Sequence, residues 1–245
     1  MNRNQFNQER LAMVGAAFET GYMLGKFGIG DRPNARPTID VKTEKQPMIH
    51  KVSSIPIMLD NISAPPDKVK EFDGQPLYYV MDKQALADGV LQVFTTPEKA
   101  QEYRNQAIAN LKKSTSQESV NSQVRMAAGA YFAGSVDLYE HIYFQGNKWH
   151  FEGEWGYIPD FRYVNCFLWW CANINDKVSS LMTNIWSNIP GWRWPVYTVL
   201  YEHINYNRNQ VGSEFWADNP ATYPDLSIYG WNDIASSMLY FTANY

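Results

Sequence analysis

The chain has 245 residues and a net charge of −4, with 45% apolar and 19% charged residues. That is the composition of a globular protein long enough for one large domain or two small ones. The charge balance gives no reason to expect a nucleic-acid partner, and no run of about 18 apolar residues is present to span a bilayer.

Residues 1–45 read as an N-terminal arm, partly helical or disordered. Gln8 to Leu24 has helical periodicity, but Gly15 and Gly21 weaken it, with Gly25, Gly28 and Gly30 just beyond. Gly21 and Gly25 make a GxxxG, yet Glu19 and Lys26 inside the stretch argue against a membrane and for a helix packed on another subunit. Self-association through the arm is therefore an expectation. The polar start and the apolar run broken at Glu19 give no clear signal peptide, which fits a cytoplasmic protein or export by a route without one. Pro33 and Pro37 then break regular structure.

Residues 46–113 read as a small α+β unit. Ser54 to Leu59 and Pro76 to Met81 are expected strands, and Asp88-Gly89 is a turn leading into a strand that ends at Phe94. Thr95 or Thr96 caps a helix with Pro97 in its first turn, running to about Lys113. Its apolar side carries Ala100, Tyr103, Ala107, Ile108 and Leu111. The polar stretch around Ser114 to Gln123 is expected to be a linker covering 114–128, although it could also extend the helix.

Beyond it the composition changes. All nine Trp lie between Trp149 and Trp231, and 12 of the 16 Tyr lie at Tyr131 or later. From Gly129 onward there are 5 Lys+Arg against 11 Asp+Glu, so this half is acidic. Short alternating runs and frequent Gly, Pro and Asn turns give residues 129–245 an all-β character. Cys166 and Cys171 are five apart; on a strand they face opposite ways, so free buried thiols are expected rather than a bridge.

This half repeats itself. Val136-Asp-Leu-Tyr-Glu-His-Ile-Tyr-Phe-Gln-Gly146 matches Thr198-Val-Leu-Tyr-Glu-His-Ile-Asn-Tyr-Asn-Arg208. Ile174-Asn-Asp-Lys-Val-Ser-Ser-Leu181 matches Trp231-Asn-Asp-Ile-Ala-Ser-Ser-Met238. Two elements repeated in one order imply a duplicated structural unit. Tyr139, Phe144 and Gly146, followed by Asn175 to Ser180, resemble the folded hairpin and calcium loop of the βγ-crystallin family. The second copy has Tyr201, Tyr206 and the loop Asn232 to Ser237, preceded by Tyr229-Gly230-Trp231. It departs from the family at Arg208, where a Gly is usual; Asn207 or Asn209 would have to take the positive-φ position.

The resemblance implies an α+β protein whose C-terminal part is a double Greek-key sandwich of about eight strands. It also implies two calcium sites, with ligands from Glu140, Asn175, Asp176, Lys177, Ser179, Glu202, Asn232, Asp233, Ile234 and Ser236. Glu140, Glu202, Lys177 and Ile234 would serve through backbone carbonyls. Which loop pairs with which hairpin is not readable. Oxygen donors alone suit a hard cation rather than zinc or copper. With Asp176 and Asp233 as the formal charges, affinity is expected on the order of 10⁻⁵ to 10⁻³ M. Lys177 beside Asp176 is expected to make the two sites unequal. Ser180 and Ser237 are placed to hydrogen-bond the hairpins.

Other chemistry finds no constellation. His141 and His203 lack a nucleophile partner, and Glu152 and Glu154 alone do not make a glycosidase pair. Trp186, Trp192 and Trp194 would cover the core or a subunit interface, or present a platform for a protein or glycan. The expected function is non-enzymatic: calcium stabilising a structural or interaction domain. The rival is a secreted inhibitor or toxin-like effector that uses the sandwich to bind a partner.

Overall fold

The structure is a computed structural model that describes residues 48–118, 132–153, 156–167, 170–187, 196–208 and 210–243. Of Ile108 and residues 111–118, 132, 165–167, 170–171, 186–187, 196 and 241–243, the backbone alone is described. The arm, most of the 114–128 segment, Asn209, and the side chains of Cys166, Cys171, Trp186, Trp192 and Trp194 therefore lie outside the described residues.

The first elements are small. β1 (Ile57–Leu59) and β2 (Ile62–Ala64) make a hairpin, turned by Asp60 and Asn61 at φ 50° and 66°. A 3₁₀ turn over Pro66–Phe72 leads to β3 (Tyr78–Met81). Asp82 then caps a short helix, α1 (Lys83–Asp88), by accepting from the Ala85 N–H, and Gly89 closes it in the left-handed region at φ 66°. β4 (Leu91–Phe94) and the helix α2 (Pro97–Glu118) follow. The expected strands and helix are found; β2 and α1 were too short to give a periodic signal.

The second half supplies two Greek keys. The first has β5 (Phe132–His141), β6 (Gln145–Gly153), β7 (Gly156–Ile158) and, after an extra hairpin of β8 (Val164–Phe167) and β9 (Trp170–Ala172), β10 (Ser180–Ser187). The second has β11 (Val196–Tyr201), β12 (Glu214–Asn219), β13 (Ala221–Tyr223) and β14 (Ser237–Ala243). In each key the fourth strand returns to lie beside the first. The third crosses to the other sheet: β7 pairs with β14, and β13 pairs with β10. One sheet is thus ordered β13-β10-β5-β6, and the other contains β12-β11-β14-β7. Exchange of third strands makes the keys inseparable. The fold is α+β, with an eight-stranded double Greek-key sandwich as its larger part.

The sandwich does not stand apart from the preceding unit. β3 pairs in parallel with β12, from Glu214↔Tyr78 to Ala217↔Met81, so one eight-stranded sheet runs β2-β1-β4-β3-β12-β11-β14-β7. Residues 48–243 form one compact unit. The expected division at 113/129 does not separate two cores. The expected linker also opens in helix, since α2 continues to Glu118 through residues that neither Pro nor Gly interrupts.

Both faces of the large sheet are buried. Phe215, Leu200, Met238, Tyr79 and Met81 join Val136, Leu138, Leu181 and Trp231 in the main core. Their strand neighbours Val80, Val199, Tyr197, Tyr201 and Trp216 pack on the opposite side with Phe94 and Ala100. Ala100 comes from α2, which covers that face. Among the described residues no helix is long and apolar enough to cross a membrane.

Candidate metal centre

Each key begins with a folded hairpin. In the first, Tyr139 and Phe144 stack edge to face with ring centroids 5.4 Å apart; in the second, Tyr201 and Tyr206 do so at 5.6 Å. Tyr143 and Phe144 (φ 57° and 61°) and their counterparts Asn205 and Tyr206 (55° and 59°) hold the left-handed turn. Such conformations are costly for aromatic residues and persist where surrounding contacts determine them. Ser180 and Ser237 supply those contacts. Ser180 Oγ donates to the His141 carbonyl (2.7 Å) and accepts from the Phe144 N–H (3.1 Å). Ser237 Oγ repeats both bonds, at the same distances, with His203 and Tyr206. The duplicated histidines thus act through their carbonyls.

The departure at Arg208 has a compensation. Gly146 has φ 77°, and a Cβ there would stand 2.8 Å from the His141 ring. Arg208 is ordinary right-handed backbone, and Asn207 takes the positive φ at 59°. Its side chain then closes the longer hairpin, accepting from the His203 N–H and donating to the carbonyls of Gly212 and Ser213. Gly212 is the glycine beneath His203, where a Cβ would come within 2.5 Å of the ring.

The two loops meet across the seam. The Asp176 N–H donates to the Ala235 carbonyl and the Asp233 N–H to the Val178 carbonyl, both at 3.1 Å. Asp176 and Asp233 share a φ of 53°. Asn175 Nδ2 donates to Asp176 Oδ2 and Asn232 Nδ2 to Asp233 Oδ2, each at 2.6 Å. Each leading Asn therefore aims the carboxylate that follows it.

This pairing brings the proposed ligands together in a crossed fashion. Ser179 Oγ lies 2.7 Å from the Glu140 carbonyl oxygen and 3.1 Å from Asp233 Oδ1. Ser236 Oγ lies 3.4 Å from Asp176 Oδ1. The first cluster joins the hairpin and serine of one key to the aspartate of the other; the second joins Ser236, whose N–H donates to the Tyr201 carbonyl at the base of its own hairpin, to the aspartate of the other key. It follows that Lys177, beside Asp176, belongs with Ser236 rather than with the serine of its own loop. The Glu140 and Glu202 carboxylates each accept elsewhere through Oε2, from Asn147 Nδ2 and the Ser213 N–H, in keeping with a role through their carbonyls. Lys177 is exposed and Ile234 packs on the core, which also leaves them only backbone oxygens.

The electrostatics favour a cation. Burial pushes the Asp176 carboxyl up to about 6; the Ser236 hydroxyl opposes this, the Asp233 charge adds to it, Lys51 opposes it and Glu202 adds to it. Asn175 Oδ1 is buried without a hydrogen-bond partner. Among the described residues no cluster of three or more His, Cys, Asp and Glu is placed to hold a metal. What converges instead is carbonyl, hydroxyl and single-carboxylate oxygen, the donor set of a hard cation.

Two contributions went unread in the sequence. Pro159-Asp160-Phe161 and Pro224-Asp225-Leu226 are a further repeat. The Asn205 N–H binds the Pro159 carbonyl and the Tyr143 N–H binds the Pro224 carbonyl, so each key clamps the other's hairpin. The other is Lys51, whose ammonium donates to the Asn232 carbonyl from 181 residues away, with no motif to announce it.

No family model matches the chain, and no curated protein matches it. The solved structures it resembles are βγ-crystallin domains. One, from an archaeon, is 23% identical, with 44% of this chain and 96% of that one covered at a TM-score of 0.29. A βγ-crystallin from Ciona intestinalis is 20% identical, with 44% and 98% covered at 0.29. A third, from work on the evolution of the eye-lens βγ-crystallin domain fold, is 26% identical, with 46% and 90% covered at 0.31.

Proposed function

We propose that this is a non-enzymatic calcium-binding protein in which up to two ions clamp the paired Greek keys. The observation that carries the reading is the convergence of the Glu140 carbonyl, Ser179 Oγ and Asp233 Oδ1 within hydrogen-bonding distance of one hydroxyl. A hydroxyl has one proton, so it cannot donate to both oxygens. A cation at that point replaces the deficit with attraction to all three. One ion would be held by Glu140, Ser179, Asp233 and the Ile234 carbonyl, the other by Glu202, Ser236, Asp176 and the Lys177 carbonyl. Asn175 and Asn232 orient the carboxylates. Because the crossed sets take groups from both keys, calcium binds the folded state alone and raises its stability by mass action.

Melting temperature with calcium and with chelator tests this. At 100 times the dissociation constant one site contributes about 2.7 kcal/mol. Zinc should not substitute. The absence of any shift at millimolar calcium would remove the reading.

A further inference from the structure

The two sandwich sheets end in four strands that pair on one side only among the described residues: β2, β7, β13 and β6. The first three have three residues each, whereas β6 has nine. An edge of that length offers a row of backbone N–H and C=O groups to another strand, and proteins commonly blunt such edges with proline, bulges or lysine. β6 contains no proline. Its ladder with β5 runs from Gly134↔Gly153 to Tyr139↔Lys148 without a bulge. Its one lysine is drawn back over the sheet, with Lys148 Nζ 2.9 Å from Asp137 Oδ2 on β5. His150 Nδ1 reaches Asp137 Oδ1 at 2.6 Å, so both side chains lean away from the free edge.

What this edge displays is complementary to itself. Trp149 and Phe151 are buried on the inner face, while Lys148, His150 and Glu152 stand on the outer face with side chains 48%, 49% and 62% exposed. A two-fold axis perpendicular to the sheet at His150 sets two copies of β6 antiparallel. Lys148 of each copy then stands opposite Glu152 of the other, and Trp149 of each stands opposite Phe151 of the other. Moving the axis to Trp149 or to Phe151 loses both lysine–glutamate pairs. Directly opposite residues have Cβ atoms about 4.5–5.5 Å apart, where opposite charges stabilise and like charges destabilise. On the axis each His150 is held on its own Asp137, whose carboxylate offsets the charge of the ring.

We propose that β6 is a self-association edge: two copies of this chain pair antiparallel along residues 147–153 about a two-fold axis at His150, joining their four-stranded sheets into one. Such an interface is isologous, using the same patch on both copies and leaving neither β6 edge free. The inference is independent of calcium, since none of the proposed ligands lies on β6.

The test is sedimentation equilibrium of the full chain as wild type, Glu152→Lys, Lys148→Glu and an equimolar mixture of those two variants. Glu71→Lys, at an exposed carboxylate far from β6 in sequence, makes the same change in net charge as Glu152→Lys. Wild type should dimerise reversibly, and Glu71→Lys should match it. Each β6 variant alone sets like charges opposite each other in both pairs and should weaken the dimer on the order of tenfold or more. The mixture should recover the loss, because each substituted position then meets the opposite charge. Amide hydrogen exchange over residues 147–153 should slow with rising concentration in wild type and not in Glu152→Lys. Lys148→Glu gives up the contact with Asp137; should it fail to fold, Glu152→Lys against Glu71→Lys, together with the exchange, decides alone. A wild type that stays monomeric at its highest soluble concentration overturns the proposal. So does a dimer that Glu152→Lys leaves as strong as Glu71→Lys does, with no concentration-dependent protection of β6, which would place association on another surface.

Discussion

Ser179 and Ser236 each hold one hydroxyl proton at the meeting point of two keys, and their neighbours decide what a substitution there does. Ser179 is grouped with Asp233 and Ser236 with Asp176. Groups in one cluster should couple, and groups in different clusters should add. We expect Ser179→Ala and Asp233→Asn to lower the same calcium affinity, with a coupling above about 0.5 kcal/mol in a double-mutant cycle. Ser179→Ala with Asp176→Asn should be additive; additivity in the first pair would dissolve the crossed assignment. Because Lys177 sits beside Asp176 and Asp176 is grouped with Ser236, a Lys177 substitution and Ser236→Ala should act on the same site. A residue-scale pH effect lies elsewhere as well. Burial pushes the Asp218 carboxyl up to about 6, against the opposing Lys83 charge and the N–H groups of Asn219 and Lys83. The folded pKa lies above the ordinary value of 3.8, so the folded state holds the proton more tightly. This contribution to stability is complete below the unfolded pKa and is lost as pH rises through about 6. Asp176 behaves likewise in calcium-free solution. Glu214, whose carboxyl burial also raises, adds a contribution of the same sign, so Asp218→Asn should reduce the fall in melting temperature across that window without abolishing it, and an unchanged slope would refute the assignment.

Among the elements, the hairpins were the most legible. Their aromatic pairs, their serine anchors and the positive φ of Asn207 all follow from residue types at fixed offsets, because those contacts are local in each repeat. Gly212 was not legible, since its role depends on a longer loop folding back under His203. The Pro-Asp repeat was present in the sequence but reads as an ordinary turn until its carbonyl partner in the other key is seen. The least legible element was α2. Its apolar side is periodic, but nothing local shows that Arg104 is buried with its guanidinium 3.5 Å from the Trp216 ring centroid. Arg104 Nη2 donates to Gln101 Oε1, while Nε and Nη1 have no partner. Burial lowers its pKa to about 10, with the Glu214 charge the largest opposing influence. A cation over an indole gains about 2 kcal/mol when desolvated, whereas each orphaned donor costs about 1–3 kcal/mol. Arg104 also offsets the buried Glu214 carboxyl, and either substitution removes that charge. Arg104→Met, which keeps the packing on Trp216 and removes the orphaned donors, should therefore cost less stability than Arg104→Ala. Arg104→Ala should lower it by about 2 kcal/mol or more through the hole left over the ring. Chemical denaturation of both variants checks the order; a Met variant weaker than the Ala variant would mean the charge itself holds the helix.

At the scale of the whole molecule, the composition shift near Gly129 is real but marks a duplication, not an edge. A change in Trp and Tyr content reports where a repeat begins. Strand pairing is set by backbone groups that every residue carries, so β3 and β12 left no mark of their partnership in residue type. Their union closes what would be an open sheet edge, and α2 covers the outer face. A consequence follows for a fragment beginning near Ser122. The sequence suggests it should fold alone, since the repeats carry their own sandwich. In the structure such a fragment loses β3 from the edge of β12. Tyr223 Oη loses the Met81 carbonyl to which it donates at 2.8 Å. The Leu77 N–H no longer reaches Ser213 Oγ, and the Leu77 carbonyl no longer receives the Glu214 N–H. Trp216, Tyr197 and Tyr201, all nearly fully buried, lose the cover that Phe94 and Ala100 help to provide. Large aromatic side chains uncovered beside a free strand edge favour pairing with another copy. We expect the fragment to melt well below the full chain and to self-associate more at equal concentration, by sedimentation or light scattering. Adding back residues 48–118 as a separate chain should restore part of the melting temperature. A fragment as stable and as dispersed as the full chain would show that the exchanged keys suffice and that the shared sheet contributes little.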